Sequence, residues 1–408
     1  MSVLKVFVVN CGSSSIKYKV FSYHEATNTL DVLAFGMIEK IGEEISIFDY
    51  ESKSGKVNFQ KPISDHAEAL SEVLQMLTNK EKGVVKNLDE IMIVGHRVVH
   101  GGEEFSFPVI IDEETEKIIE KYSIMAPLHN PANLKGIRIL RKLIPNALHV
   151  AVFDTAFHQT IPDYAYIYAI PYEYYEKYKI RRYGFHGSSH KYVSRRAAEI
   201  ISRRLEELKI ITCHLGAGSS IAAIKNGKCV ETSMGLTPLE GLVMATRSGD
   251  IDPSIFYFLV KWENKDIDEV YNILNEKSGL LGLSGVSKDL RAIKESADKG
   301  NRRAQLAINV FVHRVRKYIG AYAAVMGGVD VIVFTAGIGE RAPWMRELIL
   351  DGLEFLGIKI DKTKNLDPDK FSGIISSDDS KVKVLVISTD EEGVIAEEAI
   401  STALSVRK

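Results

Sequence analysis

The sequence predicts an α/β protein of two domains, and three observations carry that expectation. Short apolar runs of strand length recur at 5–9, 91–95, 148–153, 209–213, 330–334 and 383–387, with amphipathic stretches such as 65–79 and 302–325 between many of them. That alternation is the pattern of strands and helices sharing a layered core. The chain has 408 residues, beyond the size at which a single hydrophobic core stops growing. Finally, one local plan occurs twice, as KVFVVNCGSSSIKYKV at 5–20 and as KIITCHLGAGSSIAAI at 209–224.

Each copy of that plan runs from an apolar strand through a polar residue and a glycine-containing turn with paired serines into a second strand, so each reads as a β-hairpin with a small, polar tip. Glycine lets backbone N–H groups turn toward an anion, and serine adds donors without bulk. One such tip is equally an ordinary tight hairpin; two, one per half of the chain, suit a polyphosphate gripped between them. Segment 16–60 holds successive strand-like pieces without helices, so the first domain is expected to begin with antiparallel strands before βα units follow. A third glycine tip, TAGIGER at 335–341, follows the strand VIVF and is either a surface for a nucleoside or a plain strand-to-helix turn. No G-x-x-x-x-G-K-[ST] occurs, and no G-x-G-x-x-G opens a helix after the first strand, which disfavours P-loop and dinucleotide sites.

Composition narrows the function classes. A hydrophobic content of 45%, 26% charged residues and a net charge of -2 are ordinary for a globular chain and offer no basic excess for a nucleic-acid backbone. Cys11, Cys213 and Cys229 are too few and too scattered for a disulfide framework or a zinc site, which fits a reducing cytoplasm. The amino terminus shows no basic segment leading into a long apolar stretch, so no export signal is expected. The most membrane-like run, 318–339, is divided by Gly327, Gly328 and Asp330 into a helix end and a buried strand. No long linker appears, so the two domains are expected to be tightly coupled.

Chemistry-bearing residues gather after strands, where ligands bind in open α/β folds. GHRVVHGG (95–102) follows IMIV, FDTAFH (153–158) ends a strand with Asp154, RRYGFHGSSH (181–190) sets His186 between glycines, MATRSGDIDP (244–253) carries Arg247, and TDEE (389–392) follows VLVIS. Singly, each has a plain structural reading. The arginines suit ion pairs, Asp154 a helix N-cap, and Glu391 and Glu392 a solvated first helical turn. His100, His158 and His190 are read as satisfying backbone groups. Jointly, two arginines, a glycine-flanked histidine, a strand-end aspartate and an acidic turn beside two phosphate-type loops match phosphoryl transfer, which relies on positioning and charge neutralisation.

With PLHNP (127–131), FDTAFHQTIP and TPLEGL (237–242) added, these motifs, in this order over essentially the whole chain, resemble the acetate kinase family of the acetate and sugar kinase/Hsp70/actin superfamily. The resemblance implies two ribonuclease H-like (actin-like ATPase) domains with the active site in the cleft between them. The N-terminal domain would span 1–154, with the C-terminal helix 392–408 packing back on it, and the nucleotide-binding domain 155–391. The implied activity is reversible, Mg²⁺-dependent transfer of the ATP γ-phosphoryl group to acetate, giving acetyl phosphate and ADP, with Mn²⁺ able to substitute. A cytoplasmic homodimer without nucleic-acid or membrane partners is implied as well. A propionate or other short-chain carboxylate kinase is the nearest alternative; a sugar kinase or repressor, or a non-carboxylate ATPase of the superfamily, is more distant.

By matching position, the resemblance assigns Asn10 and Glu391 to the metal, and Arg97 and Arg247 to clamping acetate and the moving phosphoryl. Asp154 becomes the essential acid, His186 the transition-state stabiliser, and His129 a supporting residue. Val99, Leu128, Phe185 and Pro238, with Arg97, correspond to the acetate pocket. Lys17, His214, Leu215, Gly216, Ala217, Gly218, Asp289, Leu290, Arg291, Gly337, Ile338, Gly339, Glu340 and Arg341 correspond to the nucleotide side. Four positions depart from the family pattern: Cys11 stands for Ser, and Ala217, Arg341 and Asp390 for Asn. Asp390 is expected to tighten or displace the metal, and Ala217 and Arg341 to alter nucleotide affinity. A carboxylate is already ionised at pH 7, its pKa being about 4, so it needs no strong base. The task is to bring one anion onto another, for which arginine's planar fork is suited. Asp154 is therefore expected to orient the metal or the arginines and to abstract no proton.

Overall fold

The computed structural model describes residues 3–406. They fall into two compact units, one within Met1–Ala156 and Asp390–Lys408, the other Phe157–Thr389.

The first unit is built on an eight-stranded sheet. Five antiparallel strands, β1 (Val3–Cys11), β2 (Ser15–His24), β3 (Thr29–Glu39), β4 (Ser46–Ser52) and β5 (Gly55–Lys61), are followed by β6 (Ile91–Val98), β7 (Val109–Ile110) and β8 (Leu148–Phe153). Their order is β5-β4-β3-β2-β1-β6-β8-β7, with β6 parallel to β1 and to β8. The run VFVV makes β1 central: Val6, Phe7, Val8 and Val9 are all buried, so both faces of the strand are covered. Phe7 and Val9 pack under the helices His66–Leu77 and Asn130–Leu143, whereas Val6 and Val8 meet Ile395, Ala399 and Ala403 of the helix Glu391–Val406. Each such side chain contributes about 1.5–3 kcal/mol by leaving water. A Cβ on Gly95 would lie 2.9 Å from Ile395 Cγ2, so the close seat of that last helix requires a glycine there.

The second unit holds a five-stranded sheet of β9 (Lys209–Leu215), β10 (Ser219–Lys225), β11 (Lys228–Thr232), β12 (Val331–Thr335) and β13 (Lys383–Val386), in the order β11-β10-β9-β12-β13. Strands β9, β10 and β11 are antiparallel, and β12 runs parallel to both β9 and β13. The same arrangement recurs in the first unit as β3-β2-β1-β6-β8, so each unit carries the ribonuclease H-like strand order. The helix Arg302–Met326 covers one face with Phe311, Val315 and Ile319, and the helix Gly187–Ile200 covers the other with Val193 and Ala197. Asn301 caps Arg302–Met326, and Gly327, in the left-handed region at φ 70°, ends it just before β12. Among the described residues no helix is long and apolar enough to cross a membrane.

The repeated sequence plan thus forms the paired hairpins β1–β2 and β9–β10, each at the head of its sheet. The glycine tip at 335–341 becomes the short helix Ala336–Arg341 after β12, entered through Ala336 at φ 63°. Two side chains hold this strained entry. Glu340 accepts the Ala336 N–H at 2.9 Å, and the buried Arg346 donates to the Gly339 and Glu340 carbonyls, both at 2.8 Å.

Candidate active site

In the first unit, parallel pairing sets Arg97 of β6 opposite Val152 of β8, so Asp154, two residues on, arrives beside the guanidinium. Arg97 Nε donates to Asp154 Oδ1 at 3.0 Å and Nη2 to Oδ2 at 2.7 Å, a bidentate fork on a carboxylate that is 2% exposed. Glu391 Oε2 lies 3.8 Å from Arg97 Nη1. Burial alone pushes the Arg97 guanidinium down, but Asp154, Glu391 and Glu392 more than offset it and hold the group above its usual value. Asp154 is therefore half of a buried ion pair. Glu391 opens the last helix, yet the turn is not a solvated one: Glu392 is buried and bonded to Lys17 at 2.7 Å. Asn10 pairs with Lys17 in the β1–β2 register, near the end of β1.

Asn133 ties the first hairpin tip to the Arg97 segment, donating to the Cys11 carbonyl at 2.7 Å and accepting from Val99 N at 3.1 Å. Val99 is buried, Leu128 is 47% exposed, and His129 stands half-buried at the start of the helix Asn130–Leu143. His100 Nδ1 accepts the Gly102 N–H at 3.1 Å, a backbone role as the sequence suggested.

In the second unit, His186 immediately precedes the helix Gly187–Ile200, in the left-handed region at φ 55°. Its Nδ1 lies 2.9 Å from Ser220 Oγ, and its ring stacks on His214 with centroids 4.1 Å apart. His214 Nδ1 is fixed in the same way by Ser189 Oγ at 2.8 Å, and Ser189 in turn meets Thr389 Oγ1 at 2.9 Å. The loop between β9 and β10 is closed by Gly216 N–H donating to the Gly218 carbonyl at 3.1 Å. A Cβ on Gly218 would lie 3.4 Å from both His186 Nε2 and Arg247 Nη2, so loop backbone, imidazole edge and guanidinium converge there. Arg247 Nη1 donates to the Pro238 carbonyl at 2.8 Å, and among the described residues no carboxylate stands within ion-pair distance of it. Burial pushes this guanidinium down, with Glu276 opposing. A half-buried guanidinium with a carbonyl but no carboxylate beside it is suited to pairing with an anion. Phe185, buried, gives its carbonyl to His158 Nε2 at 2.8 Å.

A cavity of about 620 Å³ adjoins this loop, lined by Gly216, Ala217, Asp289, Leu290, Arg291, Gly337, Ile338 and Arg341. Its volume suits a small-molecule ligand such as a nucleotide. Leu215 and Gly339 of the same expected group face inward instead: Leu215 belongs to the apolar core, and Gly339 is buried against Phe334. Glu340 is occupied in bracing Ala336 and Ser388, and Lys17 belongs to the first unit. The sequence reading missed Lys288, Lys294 and Trp344, which also line the cavity; the Lys294 ammonium lies 5.4 Å from the Trp344 ring centroid. Their spacing around Asp289 and after Arg341 was the available signal.

Two of the four family departures have plain structural consequences. Asp390 is held by Lys19 at 2.9 Å and accepts the Gly393 N–H at 3.1 Å, so its charge is already matched. Cys11 is buried, and burial pushes its thiol up to about 12, which leaves it inert. His190 also differs from its expected role: it bonds two hydroxyls, Thr212 and Ser220, rather than backbone groups.

Comparison with known proteins agrees with this architecture. A model of the acetokinase family matches residues 5–397. An acetate kinase of Thermoanaerobacterium thermosaccharolyticum is 57% identical over 396 residues, covering 97% of this chain and 98% of the relative. An acetate kinase of Thermotoga maritima is 56% identical over 395 residues, covering 96% and 97%. The crystal structure of Porphyromonas gingivalis acetate kinase superposes with a TM-score of 0.89 at 46% identity, covering 98% of this chain and 100% of that one. A propionate kinase from Francisella tularensis superposes with a TM-score of 0.90 at 41% identity, covering 98% and 99%. Two ribonuclease H-like units, motifs in family order and this breadth of similarity place the chain in the acetokinase family.

Proposed function

We propose that this protein catalyses reversible transfer of the ATP γ-phosphoryl group to acetate, giving acetyl phosphate and ADP. The observation that carries the reading is the half-buried, carboxylate-free guanidinium of Arg247, set with His186 at the tip of a glycine-rich loop. Relatives named acetate kinase, similar over nearly the whole chain, support the same activity.

In this reading the cavity beside Gly216 takes the nucleotide, and Arg247 and His186 meet the transferring phosphoryl. Arg97, held flat by Asp154, presents its remaining N–H groups to the acetate carboxylate. Acetate arrives ionised, so no group need remove a proton, and Asp154 acts by orienting Arg97. Val99, Leu128, Phe185 and Pro238 set the size of the acid accepted, and His129 supports the Arg97 segment. Among the described residues no three His, Cys, Asp or Glu side chains gather to hold a metal by themselves. Mg²⁺ suits that sparse donor set, because it keeps several waters and takes one or two carboxylates together with substrate phosphates. Asn10 and Glu391 would hold it, and the ion would neutralise charge on the phosphate oxygens.

The protein is further proposed to act as a cytoplasmic homodimer. The helix Ser254–Trp262 has no buried residue, and it exposes Tyr257 at 59% and Trp262 at 77%. An apolar face of that kind fits burial against a second copy. The three buried, unpaired cysteines fit a reducing compartment.

A propionate kinase among the similar structures keeps propionate in view as a second substrate. An apolar pocket separates acids differing by one methylene by only about 1–3 kcal/mol. Incubation with MgATP, hydroxylamine and a panel of acetate, propionate, butyrate or no acid tests both readings by trapping the acyl phosphate as hydroxamate. The expected order is acetate, then propionate, with no product without acid. A higher kcat/KM for propionate or butyrate reverses the substrate assignment, and ATP turnover independent of acid removes the proposed activity.

A further inference from the structure

Behind His186 lies a chain of buried hydrogen bonds that the transfer chemistry above leaves unused. Thr212 and His214 alternate along β9, and Ser220 pairs with His214 in the β9–β10 register. These three side chains meet His186, just before the helix Gly187–Ile200, and Ser189 and His190 in its first turn. His190 Nδ1 lies 2.7 Å from Thr212 Oγ1, His190 Nε2 lies 2.8 Å from Ser220 Oγ, and Ser220 Oγ lies 2.9 Å from His186 Nδ1. Thr212, His190 and Ser220 are fully buried.

We propose that Ser220 is a positioning residue that keeps the proton of neutral His186 on Nε2, and that Thr212, acting through His190, sets the direction of the chain. The inference rests on the proposed role of His186 at the phosphoryl group. Burial, with His158 and His214 nearby, pushes His190 well down and keeps it neutral, so one ring nitrogen donates and the other accepts. Among the described residues the Thr212 hydroxyl has His190 as its single hydrogen-bond partner. Accepting from His190 would strand the Thr212 proton in the core without an acceptor, so Thr212 donates to His190 Nδ1. His190 then carries its proton on Nε2 and donates to Ser220. Ser220 has one proton, which passes to His186 Nδ1 as a donated hydrogen bond. The proton of His186 is thereby confined to Nε2, the ring nitrogen that faces Gly218. Reversal of any one bond would turn that nitrogen into an acceptor facing phosphoryl oxygens, which carry no proton to give.

The test combines a spectroscopic readout with kinetics on the full-length protein labelled with ¹⁵N-histidine. Two-bond ¹H–¹⁵N spectra at pH 8 report the tautomer, and His186→Gln identifies the His186 signals by their loss. The wild type is expected to show Nε2 protonated and Nδ1 accepting. Thr212→Val keeps the side-chain shape and removes the terminal donor. It is expected to give a mixture of His186 tautomers and to lower kcat about tenfold, the value of one lost hydrogen bond, with KM for ATP and acetate held within about twofold. Thr212→Ser should restore both readouts. Ser220→Ala should give the same tautomer mixture, and Thr212→Val carries the test by itself should Ser220→Ala fail to fold. A wild-type proton on Nδ1, both nitrogens protonated, or a Thr212→Val protein with unchanged tautomer and kcat overturns the proposal. Full acetyl phosphate formation by His186→Gln, with the tautomer as expected, instead removes the catalytic role given to His186 and leaves the hydrogen-bond chain standing.

Discussion

Substituting Asp154 by Asn removes a charge while keeping the side chain's shape, and the geometry around Arg97 sets the size of the effect. Asp154 accepts two hydrogen bonds from Arg97, at 3.0 and 2.7 Å, inside the protein. An asparagine offers one acceptor, and its amide nitrogen faces a second donor. One charge-assisted bond is lost, worth about 1.5–3 kcal/mol, and Arg97 is left with Glu391 at 3.8 Å as its nearest carboxylate. If that energy holds Arg97 in place for the acid substrate, kcat falls on the order of 10- to 150-fold. Arg97→Met is the harsher change, because it strands a buried carboxylate at a cost of about 3–5 kcal/mol. The double variant should be more stable than the sum of the single losses predicts, since no unpaired charge remains. Urea denaturation gives the stabilities and hydroxamate trapping the rates. Near-full activity of Asp154→Asn with ordinary Mg²⁺ dependence, or an Arg97→Met protein no less stable than Asp154→Asn, would refute the argument.

Three further outcomes are expected. Burial pushes His158 down to about 4 despite its bond to the Phe185 carbonyl, so below pH ~6.5 the unfolded chain takes up a proton that the folded chain refuses. Stability should fall by about 3 kcal/mol between pH 6.5 and 4 from this group, with buried His96, His149 and His190 adding in the same direction; urea midpoints across that range, flatter in His158→Gln, check it. Arg346→Met removes donors to the Gly339 and Glu340 carbonyls and to Asn365, and should cost at least ~3 kcal/mol by leaving buried acceptors unpaired. It should also weaken ADP binding by calorimetry, because Ile338 and Arg341 of the same short helix line the cavity. A Cβ on Gly136 would lie 2.4 Å from Cys11 Sγ, so Gly136→Ala should destabilise by about 1–3 kcal/mol, and adding Cys11→Ala should recover most of that in chemical denaturation.

The central strands were legible because apolar residues dominate KVFVV and outnumber polar ones in KIITC, as burial on both faces requires. The twofold plan was legible because both hairpin tips use glycine and serine for the same reason. The edge strand β7 was less so, because it has only two residues. The segment 335–341 left both a turn and a ligand surface open, and its helical form depends on Glu340 and on Arg346, whose support comes from outside the segment. Arg97 and Asp154 were each visible as candidates, but their pairing is a product of the β6–β8 register, which no local pattern encodes. Similarly, no local pattern encodes the pairing of Asp390 with Lys19, 371 positions away. The hydroxyls of Thr212 and Ser220 stood in quoted motifs, and their meaning emerged only when His190 was found between them.

The central claim is that a phosphoryl group moves between nucleotide and acetate without passing to water. Following acetyl phosphate, ADP and Mg²⁺ by ³¹P NMR tests it directly. The account predicts that acetyl phosphate disappears as ATP appears in equal amount, with no inorganic phosphate beyond the uncatalysed background. Release of inorganic phosphate without ATP would contradict it.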